Sequence, residues 1–104
     1  MTTTALLQEI KDRLAKTYGP HFRGVVLYGS VARGDDLPDS DIDIMVLLDH
    51  PARTWQDVHA ACEALMSLML TMGKIIDVRV VDIQRYEQSD APLYADARKE
   101  GVRA

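Results

Sequence analysis

The chain has 104 residues, 47% hydrophobic and 27% charged, with a formal net charge of -4, a size that supports one hydrophobic core, so one domain over 1-104 is expected. This composition excludes disordered and collagen-like classes, and the acidic balance excludes a broad duplex-binding surface while leaving room for a few arginines to meet nucleotide phosphates. The single cysteine, Cys62, allows no intrachain disulfide; with no signal-peptide pattern and no apolar run near the ~18 residues of a membrane span, a cytoplasmic protein is expected.

The first element is an amphipathic helix. Leu6, Leu7, Ile10 and Leu14 fall at helical spacing from about Ala5 to Thr17, with Thr4 as N-cap and Gly19-Pro20 as the stop. Its charged residues, Glu9 to Lys16, read as a solvated face. His21 follows in a loop with no partner pattern, and no function is expected of it.

Val25-Val26-Leu27-Tyr28 is a short β-branched-rich run ended by Gly29, and Asp41 to Leu48 is a second such run; both read as strands. Between them, Leu37-Pro38-Asp39-Ser40 carries turn chemistry, and Asp35, Asp36 and Asp39 read as turn residues. Thr54 then stands as an N-cap, with Asp57 where a capping-box acid belongs, and a long helix runs to Met72 with Gly73 as its stop. Val58, Ala61, Cys62, Leu65, Met69 and Met72 form its expected core stripe. Met66 and Leu70 lie off that stripe, either as a broad edge of the core or as adaptable apolar surface for a partner.

Lys74 to Val81 alternates as a third strand, with Ile76, Val78 and Val80 on one face and Ile75, Asp77, Arg79 and Val81 on the other. A short helix near Ala91 to Lys99 follows, with Pro92 in its first turn and Gly101 past its end; Tyr86 and Tyr94 read as packing residues. The order of elements predicts an α/β (α+β) fold, a small mixed β-sheet with helices packed on it.

The chemistry concentrates between Val25 and Leu48. Alternation along a strand puts Asp41 and Asp43 on one face, their carboxyl groups roughly 6 to 7 Å apart, with Ile42, Ile44 and Val46 on the other. Two carboxylates at the start of a buried strand repel each other and lose hydration unless a cation or proton intervenes. Oxygen-only donors suit Mg²⁺. Gly29 lets backbone approach a phosphate, and Ser30 adds a hydroxyl at the start of a helical turn. Asp77 is an acid in mid-strand, so it must bind metal, pair with a cation such as Arg79, or face an open cleft.

Gly29-Ser30, ten intervening residues that include Ala32-Arg33-Gly34, and then Asp41-Ile42-Asp43 together resemble the signature of DNA polymerase β-like nucleotidyltransferases. The closer resemblance is to the minimal nucleotidyltransferase (MNT) antitoxins paired with HEPN-domain toxins, to which the length and the closing Arg98-Lys99-Glu100-Gly101-Val102 are also similar. The resemblance implies catalytic, metal-binding roles for Asp41, Asp43 and Asp77, with Asp82 as the weaker candidate for the third acid. It implies that Gly29 and Ser30 cradle a triphosphate, that Arg33 reaches nucleotide phosphates, and that Mg²⁺ is the cofactor and ATP the donor. Leu37 departs from the subgroup, where a polar or basic residue is common. The implied activity is transfer of AMP to a tyrosine of a HEPN toxin held in a hetero-oligomer; a binding-only antitoxin and a small-molecule, antibiotic-modifying nucleotidyltransferase are the alternatives.

Overall fold

The computed structural model describes residues 2–34, 40–51 and 53–104, and its sheet is built from the apolar runs identified above. In chain order the elements are α1 (Thr3–Tyr18), a 3-10 turn (Gly19–His21), β1 (Phe22–Tyr28), α2 (Gly29–Arg33), β2 (Ile42–Leu48) and α3 (Thr54–Met72), then β3 (Ile76–Asp82), α4 (Ile83–Gln88), α5 (Pro92–Glu100) and β4 (Val102–Arg103). The strands lie in the order β3-β2-β1-β4. β1 runs antiparallel to β2 and β4, while β2 and β3 are parallel. This is the mixed sheet with packed helices that the sequence predicts.

Alternation along the strands supplies two cores. Val25, Leu27, Ile42, Ile44, Val46, Leu48 and Ile76 pack with Leu7, Ile10 and Leu14 of α1 and Ala61, Leu65 and Leu68 of α3. Val26, Met45, Leu47 and Val81 face the other way, onto Tyr86 of α4 and Ala97 of α5. Each large aliphatic side chain buried in this way contributes about 1.5–3 kcal/mol. Because helices cover both faces, β2 is buried along its whole length except at Asp43, which is half-buried. That exception is where the site begins.

The helix boundaries depart from the expected ones in ways that capping explains. The first helix starts before Thr4, because the Thr2 hydroxyl accepts the Ala5 N–H at 3.1 Å and so serves as the cap. In α3, Arg53 and not Thr54 occupies the cap position; the buried Asp57 carboxylate accepts the Arg53 N–H at 2.8 Å, so the acid acts as expected on a different residue. The buried stripe of α3 runs through Ala61, Leu65 and Leu68, while Val58 and Cys62 are half-buried on its flank beside Trp55 and His59. Met66 and Leu70 are exposed, which answers the alternative left open for them: they are apolar surface.

The tail holds more structure than one helix. The Asp82 carboxylate accepts the Gln84 N–H at 3.0 Å and caps α4, a helix the sequence pattern did not announce. Arg98 donates to the Ser89 carbonyl at 2.9 Å and to the Tyr86 carbonyl, tying α5 to α4. Beyond Gly101 the chain pairs with β1 as β4, and Ala104 N–H donates to Val25 O at 2.9 Å. No helix among the described residues is long and apolar enough to cross a membrane.

Candidate active site

The strand register assembles a row of polar side chains across an apolar sheet. Asp43 of β2 stands opposite Tyr28 of β1 and opposite Asp77 of β3, and paired strands are about 4.8 Å apart. Residues opposite one another in register share a face, so Tyr28, Asp43 and Asp77 point the same way. Asp41 lies just before β2 and is exposed. β3 is an edge strand and Asp77 is exposed on it, which answers how a charged residue is tolerated in mid-strand: water reaches it.

Asp41 and Asp77 both act on the charge of Asp43. The Asp43 carboxyl is held above the ordinary carboxylate range, first by its burial and then by the negative charges of Asp77 and Asp41; Arg79 and Arg33 act in the opposite direction. Asp41, Asp43, Asp77 and Arg33 therefore form one electrostatic unit. Arg79 belongs to it as well. Its side chain hydrogen-bonds Tyr28, whose hydroxyl burial pushes up and whose shift that hydrogen bond partly offsets. Arg79 was identified from sequence only as a partner for Asp77, and Tyr28 only as a strand residue; the signal available for both was their position on the face that carries the acids.

Gly29 is required here by two constraints. Its φ is +75°, a left-handed conformation, and a Cβ placed on it would lie 2.5 Å from Asp43 Oδ2. The chain thus turns directly against the Asp43 carboxylate as it enters α2. Ser30 follows in that short helix, which Gly34 ends in a left-handed cap whose N–H donates to the Ser30 and Val31 carbonyls. Arg33, at the end of α2, lies 3.8 Å from Glu100 of α5. Between α2 and α5 a cleft of about 240 Å³ is lined by Tyr28, Gly29, Arg33, Leu93, Asp96, Ala97 and Glu100. It opens beside the acids, not over them.

Two further sequence expectations resolve differently. Asp82, the weaker candidate for the third acid, is engaged in capping α4 and falls on the opposite parity of β3 from Asp77. The turn residues Asp35, Asp36, Leu37 and Asp39 lie outside the described residues. The donor set that remains, carboxylates alone with no nitrogen or sulfur ligand, is the chemistry of a hard divalent cation. Burial and then the charges of Asp77 and Asp41 raise the Asp43 carboxyl, and such a cation would relieve the repulsion between the acids.

Residues 7–100 match the family model of the nucleotidyltransferase domain. No curated protein matches the chain significantly. Among solved structures, a toxin-antitoxin with AMP-PNP is similar at 23% identity over 92% of this chain and 69% of that one, with a TM-score of 0.61. A mutant of the toxin-antitoxin MntA-HpeT is similar at 18% identity over 99% of this chain and 72% of that one, with a TM-score of 0.61. A Shewanella oneidensis tri-AMPylated HEPN toxin in complex with MNT antitoxin is similar at 20% identity over 93% of this chain and 70% of that one, with a TM-score of 0.51. At these identities the likeness to solved structures is one of fold. The family match covers nearly the whole chain, and the chain therefore belongs to the nucleotidyltransferase domain family, the enzyme class that Gly29-Ser30 and Asp41-x-Asp43 led us to expect.

Proposed function

We propose that the chain, as one domain over 1-104, is the cytoplasmic antitoxin of a HEPN/MNT pair and transfers AMP from ATP to a tyrosine hydroxyl of its toxin with Mg²⁺. The observation that carries this reading is the in-register placement of Asp43 and Asp77 on one face, with Gly29 turned against Asp43. The similarity of fold to toxin-antitoxin structures, one with AMP-PNP and one with an AMPylated HEPN toxin, supports the nucleotide and the acceptor.

In this reading Asp41, Asp43 and Asp77 hold the metal. When bound, Mg²⁺ neutralises charge on the triphosphate and on the leaving pyrophosphate. Gly29 and Ser30 bring backbone to the triphosphate without a side chain in the way, and Arg33, steadied by Glu100, donates to phosphate oxygens. The tyrosine oxygen forms a bond to the α-phosphorus while the bond from that phosphorus to the β-phosphate oxygen breaks. The phenolic proton passes to Asp77, the acid open to solvent at the sheet edge. Positioning and charge stabilisation supply most of the rate, as in other phosphoryl-group chemistry.

The test is an intact-mass spectrum of the neighbouring gene's product after co-expression with the parent or with Asp41→Ala, Asp43→Ala. AMP adducts made by the parent and absent with the variant are expected. A second reading has its own observation: Leu70 is 76% exposed and Met66 51% exposed on α3, an apolar surface suited to a sterically acting antitoxin. Full neutralisation by Asp41→Ala, Asp43→Ala, with loss of neutralisation in Leu70→Asp, would transfer the conclusion to that binding-only antitoxin. Saturating Mg²⁺ and ATP should raise the melting temperature by several degrees, because a ligand that binds only the native state stabilises it.

A further inference from the structure

At the other end of β2 the fold gathers a second set of side chains that can bind metal. His21 ends the 3-10 turn before β1, and Asp49 and His50 follow β2 directly. The Asp49 N–H donates to the His21 carbonyl at 3.1 Å, which pins the two loops together. One ligand atom from each of His21, Asp49 and His50 lies within 4.8 Å of the others. The two imidazoles meet nearly edge to face, centroids 5.2 Å apart.

Two contacts orient these groups toward one another. His50 Nδ1 lies 3.0 Å from the Pro51 carbonyl oxygen. A carbonyl only accepts, so Nδ1 carries the proton and Nε2 the lone pair. A backbone carbonyl at one ring nitrogen is the usual way a metal-bound histidine is held in its tautomer. The Asp49 carboxylate is divided between partners: Oδ1 lies 3.0 Å from His21 Nδ1, and Oδ2 lies 3.6 Å from the Arg23 guanidinium. Arg23 fixes the carboxylate and also lowers its attraction for a cation.

We infer that His21, Asp49 and His50 form a site for one zinc ion, with water as the fourth ligand. Two imidazoles and a carboxylate are a donor set that zinc favours over Mg²⁺. Ligand atoms around a tetrahedral zinc stand about 3.3 Å apart. Zinc would displace the proton shared in the 3.0 Å contact between His21 Nδ1 and Asp49 Oδ1, and side-chain rotation of the half-buried His50 closes the rest. The site lies about 20 Å from Asp43 along the extended strand, so the ion acts on the fold and not on nucleotide chemistry: it clasps the loop that enters β1 to the loop that leaves β2. This inference does not rest on the antitoxin reading.

The chain has three histidines, and the third, His59, sits on α3, stacked on Trp55 and 3.1 Å from Glu63. It is an internal control. Zinc chloride titrated into the tag-free protein, followed by imidazole NMR, should move the His21 and His50 resonances together, saturate at one equivalent and leave His59 in place. The same titration should raise the melting temperature of Asp41→Asn, Asp43→Asn, where the acid row is removed. His21→Gln, His50→Gln should bind zinc at least about tenfold more weakly. Movement of His59 in step with the other two, or no movement at all, overturns the proposal. So does zinc binding that persists in His21→Gln, His50→Gln and disappears in Asp41→Asn, Asp43→Asn. The NMR readout on the parent decides the matter even if the histidine variant fails to fold.

Discussion

Asp43 and Asp49 bracket the same strand, and the fold treats them in opposite ways. Asp43 faces two other acids, Asp77 and Asp41, and its carboxyl is pushed up by burial and by their charge. Asp49 is surrounded by His21, Arg23 and His50, and its carboxyl is drawn down, chiefly by the hydrogen bond with His21. One end of β2 thus keeps a repulsion that Arg79 and Arg33 offset only in part, while the other end is neutralised by its own neighbours. An unrelieved repulsion costs stability in the free protein and becomes attraction once a cation arrives. The repulsive end is accordingly the one we assign to chemistry.

The largest expected effect comes from breaking the repulsive end. Asp43→Ala or Asp77→Ala should lower the rate of the proposed AMP transfer roughly 10²- to 10³-fold, the scale seen when a single preorganised electrostatic group is removed. Label transfer from ATP to the proposed toxin partner measures this, and calorimetric titration of that partner should show binding unchanged. Activity within a factor of a few of the parent would mean that the acid row is not the site. Gly29→Ala comes next. It places a methyl 2.5 Å from Asp43 Oδ2 at a φ of +75°, which should cost about 1–2 kcal/mol of stability by denaturant unfolding, and a drop in transfer should accompany it. Ordinary stability in this variant would show that Gly29 does not turn against Asp43.

Substituting the acid without removing its volume should separate function from stability. The raised Asp43 carboxyl binds more protons in the folded chain than in the unfolded one, so its contribution to stability falls as pH rises through the raised value. At neutral pH and without divalent cation, Asp43→Asn should therefore raise the melting temperature while lowering the proposed transfer by a factor similar to that of Asp43→Ala. The gain should be small, a degree or two, because solvent and salt screen a half-exposed group. Adding Mg²⁺ should narrow the difference between the two proteins by stabilising the parent alone. A variant that melts below the parent would show that the acids are not in net repulsion.

The two ends of β2 were not equally legible in the sequence. Alternation and the Gly-Ser and Asp-x-Asp spacing were enough to place Asp41, Asp43 and Gly29 near one another, because they lie on adjoining local elements. That Asp77 stands beside Asp43 follows from a parallel register, which no local pattern encodes; it was legible only through family resemblance. The roles of Tyr28 and Arg79 depend on the same register and went unseen. His21 had no partner pattern because its partners lie across the sheet: Asp49 and His50 meet it only when β1 and β2 pair antiparallel. Capping was misread by small steps at Thr4 and Thr54, since several polar residues in a row offer equivalent caps and packing decides among them. The helix α4 escaped notice because it is short and is set by the Asp82 cap and by contact with α5.

The smallest effect tests the comparison most directly, because both acids start from the same ordinary value and are displaced in opposite directions. Each has an ordinary value of 3.8, and the fold displaces Asp43 upward from it and Asp49 downward. As pH falls through this region, protonating Asp43 relieves repulsion and favours the folded chain, whereas protonating Asp49 loses the contacts with His21 and Arg23 and disfavours it. The two contributions have opposite sign and partly cancel in the parent. Asp43→Asn removes the favourable one, so its melting temperature should fall more steeply on acidification. Asp49→Asn removes the unfavourable one, so its melting temperature should fall less steeply. Both departures should shrink as salt is added, since Asp49 in particular is solvent-exposed and screened. Melting curves collected across this range at low ionic strength, for the three proteins side by side, would show the slopes diverging on either side of the parent; slopes that shift in the same direction would mean that the two ends of β2 are electrostatically alike.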